Sequence, residues 1–123
     1  MNVLLSIKPE FANRIFNGLK KFEFRRSIFK RTDIEKVIVY ASAPISMVIG
    51  EFEIDKILHD ELPNLWNLTK KYAGITEDYF YDYFSDKNQG YAIKIKSSTK
   101  YDRPHSLKTV YGITPPQFFV YVE

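Results

Sequence analysis

The spacing of the apolar residues changes abruptly near Gly18, and this change constrains the fold more than any other feature of the sequence. Before it, apolar residues recur at the spacing of one helical face: Phe11, Ala12, Ile15, Phe16 and Leu19. Pro9 precedes them at a position that suits the first turn of a helix. From Lys20 onwards, apolar and charged residues alternate with a period of two. The sequence therefore predicts a helix that stops at Gly18 and leads directly into a half-buried, charged strand.

The other periodicities predict further strands and two short helices in a single α+β domain spanning residues 1–123. Strands are predicted at 3–7, at 36–41, from Ile45 through Asp55, at 90–96, near 107–110 and near 118–122. Gly50 lies within one of these strands and indicates a bulge or bend. Helices are predicted at 62–72 and after the N-cap residue Thr76 to about residue 84, whereas residues 101–105 are expected to form a loop.

Composition excludes several classes of function. The chain has no cysteine, which excludes disulfide scaffolds and cysteine-ligated metal sites, and we expect a reducing, cytoplasmic location. No segment reaches the roughly 18 apolar residues of a membrane span, so no membrane partner is expected. The two histidines, His59 and His105, lack the spacing of metal ligands. Phosphate-binding, dinucleotide-binding and serine-nucleophile motifs are also absent, and neither a metal nor a cofactor is predicted.

The charge of the chain is unevenly distributed along its length. Residues 1–36 carry a net charge of +5, residues 37–86 a net charge of −6 and residues 87–123 a net charge of +4. Two basic ends that meet in space form a surface suited to a polyanion. The acidic middle segment offers an alternative surface for a protein partner, and an ordinary solvated face remains the simplest interpretation of the charge pattern alone.

A compact group of charged residues lies where the predicted helix gives way to the strand. Glu23 and Arg25 share one face of this strand and lie within pairing distance, and Lys20 emerges at the junction. A carboxylate beside cations can orient a guanidinium towards phosphate, accept a hydrogen bond from a base, or exchange protons with a ligand. An exposed ladder of ion pairs is the alternative interpretation of the same residues.

These charged residues belong to a longer pattern in the first 25 residues. It consists of Leu5 to Pro9, then Ala12 and Ile15, then the spacing Gly18-x-Lys20-x-x-Glu23-x-Arg25. This pattern resembles the N-terminal signature of ASCH domains, whose hallmark is G-x-K-x-x-E-x-R. Later segments resemble the same family, so the resemblance covers nearly the whole chain: KVIVYAS at 36–42, Gly50 to Phe52, YAIKI at 91–95 and Pro115 to Phe118.

The resemblance implies a fold, a ligand class and a site. ASCH domains are similar to PUA domains, which implies a small β-barrel of about five to seven mostly antiparallel strands, an N-terminal helix beside a basic cleft and one or two further short helices. The family is inferred to bind RNA or nucleotide-like ligands. RNA is therefore the first expectation, single-stranded DNA and a free nucleotide stay open, and a role in transcription, translation or RNA metabolism is implied. The residues assigned to ligand binding are Lys8, Gly18, Lys20, Glu23, Arg25, Arg26, Tyr40, Ser42 and Pro44, with Lys30 and Arg31 as further phosphate contacts.

A small hydrolase is the alternative function. Some ASCH relatives resemble amide hydrolases acting on N4-acetylcytidine, which use the motif lysine, a threonine at the position of Glu23, and a glutamate where this chain has residues 72–75. Because this chain differs from those hydrolases at both positions, its sequence favours ligand binding over amide hydrolysis. Whether it catalyses any reaction stays open. Ribonuclease activity is also attributed within the superfamily, and Lys20 with Glu23 would then act as electrophile and general base on RNA or a modified nucleoside.

The aromatic residues between positions 66 and 84 allow two interpretations. Exposed rings could stack on unpaired bases. Their helical spacing instead predicts that most of them pack two helices against the sheet, with Tyr81 as the exposed exception.

Overall fold

Six strands and four α-helices make up the computed structural model, which describes residues 1–123. The strands are β1 (Asn2–Ile7), β2 (Phe22–Arg25), β3 (Lys36–Ala41), β4 (Met47–Glu61), β5 (Gln89–His105) and β6 (Phe119–Val122). The helices are α1 (Pro9–Phe16), α2 (Leu62–Thr69), α3 (Glu77–Tyr83) and α4 (Leu107–Tyr111), and a 3₁₀ turn (Lys70–Tyr72) follows α2. The α+β fold class predicted from the sequence is confirmed. None of the helices combines the length and the hydropathy needed to cross a membrane.

All six strands form one sheet with the order β2-β5-β4-β3-β1-β6. Only the pairing of β1 with β3 is parallel, and the other four pairings are antiparallel. Strands β2 and β6 therefore lie at opposite ends of the hydrogen-bonded order. Arg25 of β2 nevertheless donates a hydrogen bond from Nη2 to the carbonyl oxygen of Ser6 in β1, at 2.9 Å. The sheet thus curls far enough to bring β2, at one end, against β1, the strand next to the other end.

Alternate residues of β1 and β3 are buried on opposite faces of the sheet. On one face, Val3, Leu5 and Ile7 join a core cluster with Ala12 and Ile15 of α1. On the other face, residues of β1 and β3 pack with α4 in a separate cluster: Leu4, Ile38, Tyr40, Val48, Leu107 and Val122. Since consecutive strand residues point to opposite sides, burial on both faces explains the continuous apolar runs in these two strands.

A third core cluster joins α2 and α3 to β2. Phe80 of α3 is fully buried and contacts the ring of Phe24 in β2, with ring centroids 5.3 Å apart. Phe84 and Leu65 are likewise fully buried in this cluster. The aromatic spacing of these helices therefore packs most of the rings on the sheet, as the sequence predicts, and Tyr81 is exposed. Tyr72 is exposed as well, so Tyr81 is not the single exception.

Backbone features at glycine and threonine confirm three predictions. Gly18 adopts a φ of 84°, a conformation that side chains disfavour, directly after α1 ends. The hydroxyl of Thr76 accepts a hydrogen bond from the backbone N–H of Tyr79 and caps α3. The pairing of β4 with β5 shifts register between Val48 and Gly50, which is the expected bulge.

Two predictions for the C-terminal third are wrong. Residues 101–105, predicted as a loop, belong to the end of β5, because the 17-residue β5 follows β4 for almost the whole length of β4. Residues 107–110, predicted as a strand, lie in α4. The hydroxyl of Ser106 accepts a hydrogen bond from the N–H of Thr109, and Gly112 ends the helix with a φ of 68°. The capping serine and the terminal glycine favour a helix here, and they outweigh the strand preference of the β-branched residues between them.

Candidate functional site

Lys20 is a buried lysine at the junction of α1 and β2. Only 2% of its surface is exposed. Its backbone N–H donates to the carbonyl of Arg14 at 2.9 Å, which fixes the turn after the helix. Its Nζ donates to the carbonyl oxygen of Ala73 at 2.7 Å. The side chain thus points inward, towards the segment between the 3₁₀ turn and α3, and does not extend into solvent.

Aromatic rings and burial set the chemistry of this amine. The Nζ atom of Lys20 lies 4.8 Å from the ring centroid of Phe24 and 5.5 Å from that of Phe11. Such rings attract a cation but replace little of the hydration that burial removes. Burial is the largest effect, and it lowers the pKa of Lys20 from 10.5 to about 8, against the opposing charge of Glu23. The amine therefore exists partly in its neutral, proton-accepting form close to neutral pH.

Glu23 and Arg25 form an ion pair beside this lysine. The Oε2 atom of Glu23 lies 3.0 Å from Nη2 of Arg25, and Glu23 is only 7% exposed. The same Nη2 donates to the carbonyl of Ser6. The sequence predicts this pairing correctly, but the charged face of β2 is buried under neighbouring elements and is not an exposed ladder.

The guanidinium of Arg25 keeps donors that the protein does not use. A guanidinium has five N–H donors, and both contacts made by Arg25 use Nη2. Its Nε atom is buried and has no protein acceptor within hydrogen-bonding distance. A buried donor without a partner costs free energy, more so when it is charged, and such groups often mark a place where a ligand binds.

Lys20, Glu23 and Arg25 line one pocket of about 180 Å³, here called the main pocket. Its walls come from β1, α1, β2 and α3, and from the loop before α3. The lining residues are Ser6, Ile7, Lys8, Phe11, Lys20, Glu23, Phe24, Arg25, Ile75, Tyr79 and Tyr83. The pocket therefore combines aromatic rings with three cations and one carboxylate.

A glycine in the loop before α3 allows this loop to close over Lys20. Gly74 has a φ of 69°, and a Cβ atom added to it would collide with the aliphatic carbons of Lys20. Arg14 of α1 donates from Nη1 to the carbonyl oxygen of Gly74 at 2.8 Å. Together with the bond from Lys20 to Ala73, this contact fastens the loop to α1 and to the start of β2.

Two other predicted site residues lie close to the main pocket but differ in their surroundings. Lys8 is exposed at its mouth, with Nζ 5.5 Å from the ring centroid of Tyr79. Gly18 shapes the turn that leads to Lys20 and does not itself line the pocket.

Arg26, the next predicted residue, fastens α3 to β2. It donates from Nη1 to the carbonyls of Tyr83 and Ser85, each at 2.9 Å, and pairs with Asp86 at 2.7 Å. These contacts occupy the guanidinium in the absence of a ligand, and a ligand contact by Arg26 stays a prediction.

The remaining predicted residues lie outside the lining of the main pocket. Tyr40 is buried in the cluster under α4, on the other face of the sheet from α1. Ser42 and Pro44 lie in the turn between β3 and β4, where Pro44 is exposed. Neither residue lines the main pocket.

The two predicted outer phosphate contacts lie near β6. Arg31 forms a two-point contact with Asp33, at 2.8 and 2.6 Å. The backbone N–H of Lys30 donates to the hydroxyl of Tyr121. Their part in phosphate binding stays a prediction.

The structure adds aromatic residues that the sequence interpretation assigned to packing. Tyr79 and Tyr83 of α3 both line the main pocket, and the ring of Phe11 contacts that of Tyr79 with centroids 5.1 Å apart. Tyr83 donates from its hydroxyl to the carbonyl of Phe24, and burial raises its pKa. The spacing of four residues between the tyrosines places both on one helical face, which is the signal that could have identified them. No three His, Asp or Glu side chains converge as a group that could hold a metal ion.

Comparison with known proteins identifies similar sequences. A family model of the ASCH domain matches residues 5–103. An ASCH domain-containing ribonuclease of Zymomonas mobilis is 30% identical over 93 residues, which are 76% of this chain and 63% of that relative. The large ribosomal subunit protein uL22 of Ureaplasma parvum is 26% identical over 124 residues. This match covers 98% of this chain, whereas the chain spans only 39% of the length of that relative.

A solved structure has the same fold over nearly the whole chain. The crystal structure of ASCH from Zymomonas mobilis superposes with a TM-score of 0.91 at 28% sequence identity. The superposition covers 99% of this chain and 87% of the other. The arrangement of helices and strands around the main pocket is therefore shared with a protein of known structure.

The lowered pKa of Lys20 predicts a specific dependence of stability on pH. Well below pH 8 the folded and unfolded chains both carry the charged lysine, and its burial penalises the fold. Between about pH 8 and pH 10.5 the folded chain has lost this proton while the unfolded chain retains it. From pH 7 to pH 10, wild type should therefore gain about 2–3 kcal/mol of unfolding free energy relative to Lys20→Met.

Urea unfolding of both proteins at pH 7 and pH 10 measures this difference. Lys21→Met is the matched control, since Lys21 is the exposed neighbour of Lys20. It should change the unfolding free energy by the same amount at both pH values. An equal stability difference between wild type and Lys20→Met at pH 7 and pH 10 would show that the amine is not penalised by burial.

Proposed function

Because the chain belongs to the ASCH family, we propose that its main pocket binds RNA, with one base among the aromatic rings and phosphate against the cations. The observation that carries this proposal is the joint presence of rings and cations in the lining of one pocket. Phe11 and Tyr79 contribute rings, and Lys20 contributes a charge. An unpaired base offers a π-face and its backbone offers negative charge, so single-stranded RNA matches both features.

The size of the main pocket supports a single ring as the inserted group. A cavity of about 150 Å³ accommodates one benzene ring. At about 180 Å³, the main pocket has room for one ring of the size found in bases. Sugar and phosphate would then lie towards the mouth, where Lys8 is exposed.

The charges of the pocket support contacts with both base and phosphate. The unused N–H donors of Arg25 suit phosphate or carbonyl oxygens, and charge-assisted hydrogen bonds of this kind are the stronger ones. The carboxylate of Glu23 accepts hydrogen bonds and orients the guanidinium through their 3.0 Å contact. In this proposal Glu23 positions Arg25, and Lys20 and Lys8 supply further positive charge.

The relative named as a ribonuclease supports RNA above the other ligands that the sequence leaves open. Single-stranded DNA and free nucleotides share most of the required chemistry and serve as comparison ligands. The role in transcription, translation or RNA metabolism, the cytoplasmic location and the protein partner for the acidic segment stay predictions.

Cleavage of RNA is the second candidate, and the buried amine of Lys20 favours it. With a pKa of about 8, a neutral Lys20 could accept the proton of a ribose 2′-hydroxyl that attacks the adjacent phosphate. The 5′-oxygen of the next nucleotide then leaves with the electrons of the broken P–O bond and takes up a proton from solvent water, which leaves a 2′,3′-cyclic phosphate. The guanidinium of Arg25 would stabilise the charge that develops on the phosphate oxygens. Glu23 is paired with Arg25, so its role here is positioning rather than the general-base role considered from the sequence.

Substitution of Lys8 tests the binding proposal with little risk to the fold, because this side chain is exposed. Lys8→Gln should weaken the binding of a fluorescein-labelled single-stranded RNA 12-mer by about three- to tenfold at 50 mM salt. The slope of log K against log salt should become shallower by about 0.7, the value for one phosphate contact on a single strand. Fluorescence anisotropy at 50 and 200 mM salt measures both quantities.

The control for this experiment is Lys100→Gln, an exposed lysine on β5 outside the lining of the main pocket. It should bind as wild type does. If both variants lose the same affinity, binding depends on general positive charge and the pocket is not the site. Parallel titrations with single-stranded DNA and with duplex RNA of the same sequence determine which nucleic acid is preferred.

The cleavage candidate predicts a rate that follows the ionisation of Lys20. Cleavage of RNA should rise with pH and level off above about pH 8, and Lys20→Met should lower the rate by about 100-fold or more. A substrate with a 2′-deoxy sugar at the cleavage position should remain intact. Gel analysis of product formation from pH 6 to pH 9 checks these outcomes, and cleavage by Lys20→Met at the wild-type rate would remove Lys20 from the mechanism.

A further inference from the structure

A second pocket adjoins the main pocket and shares two of its wall residues. This side pocket has a volume of about 300 Å³, and Arg25 and Tyr83 line both pockets. The rest of its lining comes from β1, from the segment after β2 and from the segment at the start of β6: Leu5, Arg26, Ser27, Ile28, Phe29, Gln117, Phe118 and Phe119. The two pockets are therefore neighbours that meet at Arg25 and Tyr83.

The side pocket has an apolar floor and one exposed ring. Leu5 and Phe29 are buried, and Phe119 contacts Phe29 edge to face with centroids 6.2 Å apart. Phe118 is 64% exposed, although a phenylalanine gains most when it is covered. A flat ring that stacked on Phe118 would cover it. The exposed side chains of Ser27 and Gln117 provide hydrogen-bonding groups close to this ring.

The arrangement of the two pockets matches one step of a nucleic acid strand. Adjacent nucleotides are joined by a single phosphate, and Arg25 lines both pockets and has donors that the protein leaves unused. A base in each pocket would bring the intervening phosphate against this guanidinium. Paired bases stay stacked within a duplex and cannot separate into two pockets, so the occupant is a single strand.

We propose that the side pocket binds the nucleotide next to the one in the main pocket, with Phe118 stacking on its base and Arg25 holding the phosphate between them. This inference rests on the proposed RNA-binding function. It specifies the minimal ligand as a single-stranded dinucleotide rather than a free nucleoside or nucleotide.

A hydrogen bond from Ser6 holds the C-terminal segment that lines the side pocket next to the main pocket. The hydroxyl of Ser6, which lines the main pocket, donates to the carbonyl of Pro116 at 3.2 Å. This bond holds the backbone of the segment carrying Gln117 and Phe118 beside β1, the strand whose Ser6 carbonyl also accepts from Arg25.

Binding of short ligands of increasing length tests the side pocket. The probes are a 2′-fluoro uridine or adenosine monophosphate and the matching dinucleotides and tetranucleotides, since these analogues cannot be cleaved by a 2′-hydroxyl. Each competes with a labelled 2′-fluoro tetranucleotide in an anisotropy assay. With wild type, the dinucleotides should bind at least about tenfold more tightly than the monophosphates, a gain typical of one additional stacked base.

Phe118→Ala should remove most of this gain and leave monophosphate binding unchanged, and Phe118→Trp should preserve the gain. Leu19→Ala is the matched control, because Leu19 is also 64% exposed and lines neither pocket. The inference is overturned if wild type binds monophosphates and dinucleotides equally, or if Phe118→Ala retains the full gain. In both cases the main pocket proposal would stand as long as the monophosphates still bind. If none of the probes binds, both proposals are wrong.

Discussion

The guanidinium of Arg25 connects two strands that the sheet order keeps apart, and the site depends on this contact. β2 lies at one end of the sheet, whereas β1 is next to the other end, and the bond from Arg25 to the carbonyl of Ser6 crosses between them. The ion pair with Glu23 fixes the orientation of the guanidinium. A partly buried charge of this kind is tolerated only when it has such partners. One side chain thus both bridges the two strands and lines the main pocket.

Lys20 shows a similar dual role, at some cost to the stability of the fold. Its amine is buried against a backbone carbonyl and two rings, although a methionine would fill the same space without any charge to desolvate. The loop through Gly74 closes over it, and Arg14 holds that loop in place. Groups whose pKa is shifted by burial within a pocket are common at functional sites, where stability is given up for chemistry. This cost is easier to explain by ligand binding or proton transfer than by packing.

The sequence predicted the local structure well and the long-range arrangement less well, for physical reasons. The helix that stops at Gly18, the pairing of Glu23 with Arg25 and the packing of Phe80 follow from spacing along the chain. Burial of the charged face of β2 does not follow from this spacing. The elements that cover it, α3 and the loop before it, come more than 45 residues later in the chain. Tyr40 is placed on the other face of the sheet by the pairing of β1 with β3, which no local pattern reveals. The side pocket likewise depends on β6 returning to pair with β1.

In the proposed binding mode the ligand contacts the guanidinium of Arg25. Its Nε–H makes no bond to the protein and belongs to the same guanidinium as the Nη atoms, so its NMR resonance should respond when a ligand binds this group, and Arg25→Lys identifies the peak by removing it. Titration of ¹⁵N-labelled protein with a single-stranded RNA tetranucleotide should shift this resonance in a saturable manner. The resonance of the Arg31 Nε–H should not shift, because this group already donates to Asp33. A shift confined to Arg31 or to other surface arginines, with Arg25 unchanged, would contradict the account.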